Sequence, residues 1–290
     1  MPNRILIVYN PSSGRKRAQA PWRRLLRLLP DFACSSLNIR TERKVLRLML
    51  SQCDIAVAVG GDGTVREVIQ ELADLREKIP LAILPTGSGN VLARSLHLPW
   101  SPRVLARLIR NGTSVSIDLA RLDTGEYFAA ACALGYLSER VGATNQRMKR
   151  LFGFAGYLWS FFLRHRLPQY RFSVRAGNRE YEETGHSVFI VNASNLFGVH
   201  SRNVESLHDG LFELTVAKNK SLFSFPRLVH DFYFKRKAPA RFSLLRGNDF
   251  SVRCSESLPL VLDGETFQSR KKIRLNVLPG AQRIIVAKVY

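Results

Sequence analysis

Residues 57–67 read Val-Ala-Val-Gly-Gly-Asp-Gly-Thr-Val-Arg-Glu, and no other segment concentrates as much potential chemistry. Three glycines, Gly60, Gly61 and Gly63, follow an apolar run, and glycine allows positive φ and a close backbone approach to a ligand. Successive N–H groups in such a turn, continued into a helix N-terminus, make a nest suited to phosphate. Asp62 is out of place if anion binding is the whole task. A carboxylate among phosphates holds Mg²⁺ or takes a proton from a nucleophile. The plain alternative is a tight strand-to-helix turn with Asp62 as its cap, and the spacing alone leaves both open.

The second segment, Leu84-Pro85-Thr86-Gly87-Ser88-Gly89-Asn90, repeats the pattern of strand, glycine turn with hydroxyls, then helix. A third loop, Asn10-Pro11-Ser12-Ser13-Gly14-Arg15-Lys16, adds hydroxyls and two cations. Neither Gly-x-x-x-x-Gly-Lys-Ser/Thr nor Gly-x-Gly-x-x-Gly occurs, so the common NTPase loop and the dinucleotide fingerprint do not apply. The six histidines show no metal-ligand spacing, and the four cysteines no zinc pattern; both read as packing or surface residues, the thiols reduced.

The elements that must position these loops alternate in type. Apolar runs at 5–9, 55–59 and 81–84 are expected as strands, and 18–29, 65–75 and a stretch starting at 91 as helices. Strand, turn and helix in repetition predict a parallel sheet that binds ligands at the carboxyl ends of its strands. After Gly112 the pattern changes to successive strands, at 115–119, 127–134, 170–176, 179–183, 187–193, 212–217, 242–245, 250–254, 260–262 and 272–277. Gly177-Asn178 fits a two-residue hairpin turn. Helical insertions are expected near 149–166 and 222–237. The fold class is therefore α/β plus β. A doubly wound nucleotide-binding domain spans 1–115, and an antiparallel β-sandwich spans 116–290, with its last strand available to pack back on the first domain.

Charge is the unusual bulk property. The 290 residues carry 44 Lys+Arg against 23 Asp+Glu, a net +21, which calls for an anionic partner: nucleic acid, anionic lipid or phosphate ligands. A hydrophobic fraction of 46% excludes a disordered chain. The greasiest stretch, 151–163, is 13 residues long and falls short of the roughly 18 needed to span a bilayer. A cytoplasmic protein is expected.

Asn10-Pro-x-x-Gly14, Gly60-Gly-Asp-Gly-Thr64, Pro85-Thr-Gly-Ser-Gly-Asn90 and Asp263-Gly-Glu265, in that order, resemble the motifs of the diacylglycerol kinase catalytic-domain family. That family takes in soluble bacterial lipid kinases and sphingosine and ceramide kinases, and NAD kinases share its Gly-Gly-Asp-Gly turn. The resemblance implies an ATP-dependent lipid kinase with Mg²⁺ and a site in the cleft between the two domains. It puts Asn10, Ser12, Gly14, Arg15, Gly60, Gly61, Gly63, Thr64, Glu67, Thr86, Gly87, Ser88, Gly89 and Asn90 on ATP and its phosphates. It offers both Asp62 and Asp263 as the general base; the reading preferred here gives that role to Asp263, with Glu265 as its partner, and leaves Asp62 to organise Mg²⁺. A structural Mg²⁺ is implied at Asp209, with backbone carbonyls near Ser206 and Leu211. Val91 stands where many bacterial members have Asp, and Arg15 where the family has Lys.

The expected activity is transfer of the γ-phosphate of ATP to a lipid hydroxyl, of diacylglycerol or a related lipid. A sphingoid-type acceptor and an inactive lipid-sensing homologue are the neighbouring readings. A basic nucleic-acid-binding protein is the reading from another class, but no nucleic-acid module is recognisable. Residues 1–50 hold 11 Lys+Arg against 2 Asp+Glu, and 218–253 hold 9 against 2. With the aromatic stretch 151–163 flanked by cations, these predict reversible docking on an anionic membrane surface, as a monomer or homodimer.

Overall fold

The computed structural model describes residues 4–13, 19–75, 78–87, 89–136, 167–177, 179–192, 207–218 and 242–287. It divides into two compact units, Met1–Leu119 with Gly280–Tyr290, and Ala120–Pro279. Both expected helical insertions lie outside the described residues, as does the aromatic stretch 151–163.

The first unit is a parallel sheet. β1 (Arg4–Tyr9) lies between β2 (Ala33–Asn38) and β3 (Ile55–Gly60), and β4 (Leu81–Pro85) follows β3. The end of the last strand, β14 (Glu265–Val286), adds to β4 with Ile284 opposite Leu81. β3 and β4 are buried at every position, so they read as continuous apolar runs. The chain steps from β1 outward to β2 and then back past β1 to β3. The carboxyl ends of β1 and β3 therefore flank the point where strand order reverses, the place where such sheets hold ligands.

Helices α1 (Gln19–Arg27) and α5 (Pro102–Asn111) cover one face of this sheet. Leu25 from the first and Leu29 just beyond it, with Leu105, Ala106 and Ile109 from the second, pack with Ile5, Ile7, Val57 and Val59. α2 (Leu46–Leu50), α3 (Asp62–Ala73) and α4 (Val91–Ser95) complete the unit. β2, α2 and α5 are not among the expected elements; β2 is a polar edge strand that buries only Leu37.

The second unit is antiparallel. It contains β6 (Tyr127–Phe128), β7 (Ala131–Gly135), β8 (Tyr170–Ala176), β9 (Arg179–Gly185), β10 (Ser187–Val191), β11 (Phe212–Ala217), β12 (Phe242–Gly247) and β13 (Asp249–Leu262). β5 (Thr113–Leu122) leads into it. The expected strand over 127–134 is broken at Ala129-Ala130, and those over 250–254 and 260–262 are one strand, β13. Its register shifts between Arg253 and Leu260. Phe250–Cys254 pair with β8 and Leu260–Leu262 with β7, so the irregularity lets one strand serve two arms of sheet. Phe128, Phe172, Phe212 and Phe250 are fully buried between them.

Candidate active site

Three loops leave the carboxyl ends of β1, β3 and β4 and are joined by short contacts. Asn10 donates its backbone N–H to Val59 O (3.1 Å), and its side-chain oxygen accepts the Ser12 N–H (3.0 Å), fixing the first turn. Thr86 bridges all three: its N–H meets Gly60 O (2.8 Å) and its hydroxyl meets the Ser13 hydroxyl (3.0 Å). A Cβ on Gly87 would lie 2.6 Å from Gly61 Cα, and one on Gly60 would collide with Thr64, which is buried. The glycines are required because two backbones pass each other here.

Asp62 holds this assembly together. It opens α3 but accepts the backbone N–H groups of Asn90 (2.7 Å) and Val91 (2.6 Å), so it caps the start of α4 and not of its own helix. Asn90 stands in the left-handed region (φ 51°), and its side-chain amide pairs with both Gly87 N–H (3.1 Å) and Gly87 O (2.7 Å). Arg94 adds Nε–H to Gly89 O (2.9 Å). The cap of α3 itself is Gly61, whose lack of a side chain leaves the opening turn without a side-chain cap. Those N–H groups are suited to a phosphate oxygen.

In the second unit Asp263-Gly264 forms a two-residue hairpin turn between β13 and β14, with Leu262 opposite Glu265 and both turn residues at positive φ (47° and 85°). The Asp263 carboxylate, 8% exposed, accepts the N–H groups of Ala129, Ala130 and Ala131, each at 2.8 Å. The break between β6 and β7 turns these three amides towards it. Its charge adds to burial in pushing the neighbouring Cys132 thiol far up, so that thiol is inert.

Other expected site residues are placed differently. Glu67 pairs with Arg43 (3.5 Å) rather than with the loops. Glu265 is exposed and, among the described residues, makes no hydrogen bond to Asp263, whose fixed partners are main-chain amides. Gly14, Arg15, Ser88 and Ser206 lie outside the described residues. Asp209 accepts the Leu211 N–H (2.9 Å) on one oxygen and pairs with Arg246 through the other. Arg246 stands opposite Glu213, across β11 and β12.

The two aspartates expected to meet Mg²⁺ already accept hydrogen bonds, and Ser206 of the expected Asp209 site lies outside the described residues. Each oxygen of Asp62 accepts one backbone N–H, and Asp209 accepts an N–H on one oxygen and the Arg246 guanidinium on the other. Among the described residues no three His, Cys, Asp or Glu side chains converge. Arg94 and the three alanine amides are the participants that sequence reasoning missed. Arg94 lies one helical turn beyond Asn90, a spacing that could have revealed it; main-chain donors carry no residue-type signal.

Comparison with known proteins gives this geometry a family. The diacylglycerol kinase catalytic domain profile matches residues 4–122. The Pseudomonas aeruginosa protein named "Probable lipid kinase YegS-like" is 30% identical, over 79% of this chain and 75% of that one. The chain belongs to the diacylglycerol kinase family. A Bacillus subtilis diacylglycerol kinase is 28% identical to this lipid kinase, over 90% of this chain and 89% of its own length. In fold, the kinase is similar to a crystal structure of a diacylglycerol kinase from Bacillus anthracis, with a TM-score of 0.76 at 22% identity, over 98% of this chain and 97% of that one. An Archaeoglobus fulgidus NAD kinase solved with ATP is a more distant likeness, at TM-score 0.55 and 13% identity. The α/β plus β fold class, the family and the enzyme class thus stand as expected from the four motifs. No helix among the described residues is long and apolar enough to cross a membrane.

Proposed function

We propose that this lipid kinase transfers the γ-phosphate of ATP to the hydroxyl of diacylglycerol or a closely related lipid, at an anionic membrane surface. The observation that carries the nucleotide half is Asp62 binding the second glycine loop to the first, beside a helix start whose cap is a glycine. Preorganised N–H donors of this kind stabilise charge developing on a transferring phosphoryl group. Gly61, Gly63, Thr64 and Gly87 supply the backbone that meets the phosphates, and Asn90 keeps its loop in the left-handed turn that this needs. A divalent ion bound with the nucleotide would neutralise charge on its phosphates.

Asp263 takes the proton from the acceptor hydroxyl in this reading. Three amide donors fix the plane of its carboxylate. Glu265 is left outside the reaction. The acceptor assignment rests on the family, and the test is a panel. Labelled ATP is incubated with diacylglycerol, sphingosine and ceramide in nonionic detergent micelles, and label is counted in the organic phase. Diacylglycerol should be phosphorylated in preference to both; preference for a sphingoid base would overturn the acceptor, and no labelled lipid at all would overturn the kinase reading.

A further inference from the structure

The face made by α1 and α5 is strongly basic. α1 presents Arg23, Arg24 and Arg27, α5 presents Arg103, Arg107 and Arg110, and neither helix contains an Asp or Glu. Arg110 pairs with Asp31 (3.0 Å), but Arg24, Arg27, Arg103 and Arg107 enter no ion pair among the described residues. Folding brings these cations together at an electrostatic cost, which an anionic partner would remove.

Two large apolar side chains stand exposed within this basic field. Trp100, just before α5, is 51% exposed, and Val104 in its first turn is 41% exposed. The Arg94 guanidinium lies 5.2 Å from the centre of the Trp100 ring, and the same side chain donates to Gly89 O in the second glycine loop. The exposed tryptophan is thus one residue removed from the candidate site. Orientation agrees. Arg110, in the last turn of α5, donates to Leu28 O just beyond α1 (2.7 Å), so the two helices finish at the same end. In parallel α/β crossovers helices run back against the strands. Trp100, Arg103 and Val104 therefore lie towards the carboxyl edge of the sheet, where the glycine loops are.

Tryptophan at the headgroup level, apolar groups beside it and arginines around them are the composition of an interfacial contact. We propose that Trp100 and Val104, ringed by Arg94, Arg103 and Arg107, are the surface by which this kinase docks on an anionic bilayer, with Trp100 in the headgroup layer. The inference rests on the lipid-kinase reading, which requires access to a membrane-borne acceptor. A nucleic acid would satisfy the arginines but has no use for an exposed valine among them.

The test is co-sedimentation with phosphatidylcholine vesicles with and without phosphatidylglycerol, using wild type, Arg103→Glu/Arg107→Glu and Trp100→Ala. Each cation near an anionic surface contributes enough that reversing two should weaken binding roughly 30- to 1,000-fold. Trp100→Ala should weaken it several-fold, and added salt should weaken wild-type binding. Melting temperatures check that the surface variants fold, and the milder Arg103→Gln serves if the double variant does not. Variants that bind like wild type would overturn the proposal, as would equal binding to neutral vesicles. Loss of RNA binding with vesicle binding unchanged would assign the patch to nucleic acid instead. Turnover on diacylglycerol in nonionic micelles, measured in parallel, should be the same in all three proteins. If wild type is inactive there, the kinase reading fails separately from the docking surface.

Discussion

Replacing Asp263 by Asn separates the structural and chemical duties of that side chain. Asn tolerates the left-handed conformation that position 263 adopts, so the hairpin turn itself is unharmed. The carboxamide, however, has one oxygen for three N–H donors. If that oxygen keeps Ala130 and Ala131, the new NH₂ points at the Ala129 N–H, 2.8 Å from the atom it replaces. A charge-assisted hydrogen bond is lost and a buried donor is left facing another donor. Each of these costs about 1–3 kcal/mol, so a loss of about 2–6 kcal/mol is expected. For a unit of this size, 1 kcal/mol moves the melting temperature by about 2–4 °C, which predicts a fall of roughly 4–24 °C. Thermal unfolding by circular dichroism measures it. If Asp263 is also the base, kcat measured well below the variant's melting point should drop about 10²-fold or more. A melting temperature within a degree of wild type would refute the three-amide clamp. A lowered melting temperature with kcat retained would keep the clamp and remove Asp263 from the chemistry.

Asp62→Asn should leave one of the Asn90 and Val91 amides facing an NH₂ and loosen the second glycine loop, raising KM for ATP about 10-fold or more with a smaller change in global stability; an unchanged KM would deny the clamp a role in nucleotide binding. His186 is buried, and burial pulls its pKa from the ordinary 6.5 down to about 4. Above pH 6.5 both folded and unfolded chains hold it neutral. As pH falls towards 4 only the unfolded chain takes the proton, so stability should decline by about 3 kcal/mol across that window, and His186→Asn should flatten the decline when melting is followed against pH. Because Asp209 is paired with Arg246, EDTA should leave the wild-type melting temperature unchanged, whereas Arg246→Gln, which strands Asp209 near Glu213, should be less stable and gain from added divalent cation; destabilisation of the wild type by EDTA would contradict the pairing.

What could be read in the sequence was what backbone sterics dictate. Glycines directly after apolar runs put Gly60, Gly61 and Gly87 at the ends of β3 and β4, because a close approach of two loops admits no Cβ. Helix α5 was legible in principle: Pro102 opens it and Gly112 follows it, but its interspersed arginines hid the Leu105, Ala106 and Ile109 stripe. Glu67 could also have been set aside. Five residues along a helix turn a side chain about 140° from Asp62, away from the loops. The rest depends on tertiary placement. That Asp62 caps α4, that Asp263 collects three amides from a strand break more than 130 residues distant, and that Arg246 answers Asp209 are long-range pairings. No local pattern encodes them.

The central claim is that this fold moves phosphate from ATP to a lipid hydroxyl. Incubation with ATP and a short-chain diacylglycerol, followed by phosphorus NMR of the whole mixture, tests it without separation or label. ADP and the phosphomonoester of the lipid should accumulate in equal amounts. ADP formed with inorganic phosphate, or ATP left intact, would contradict the account.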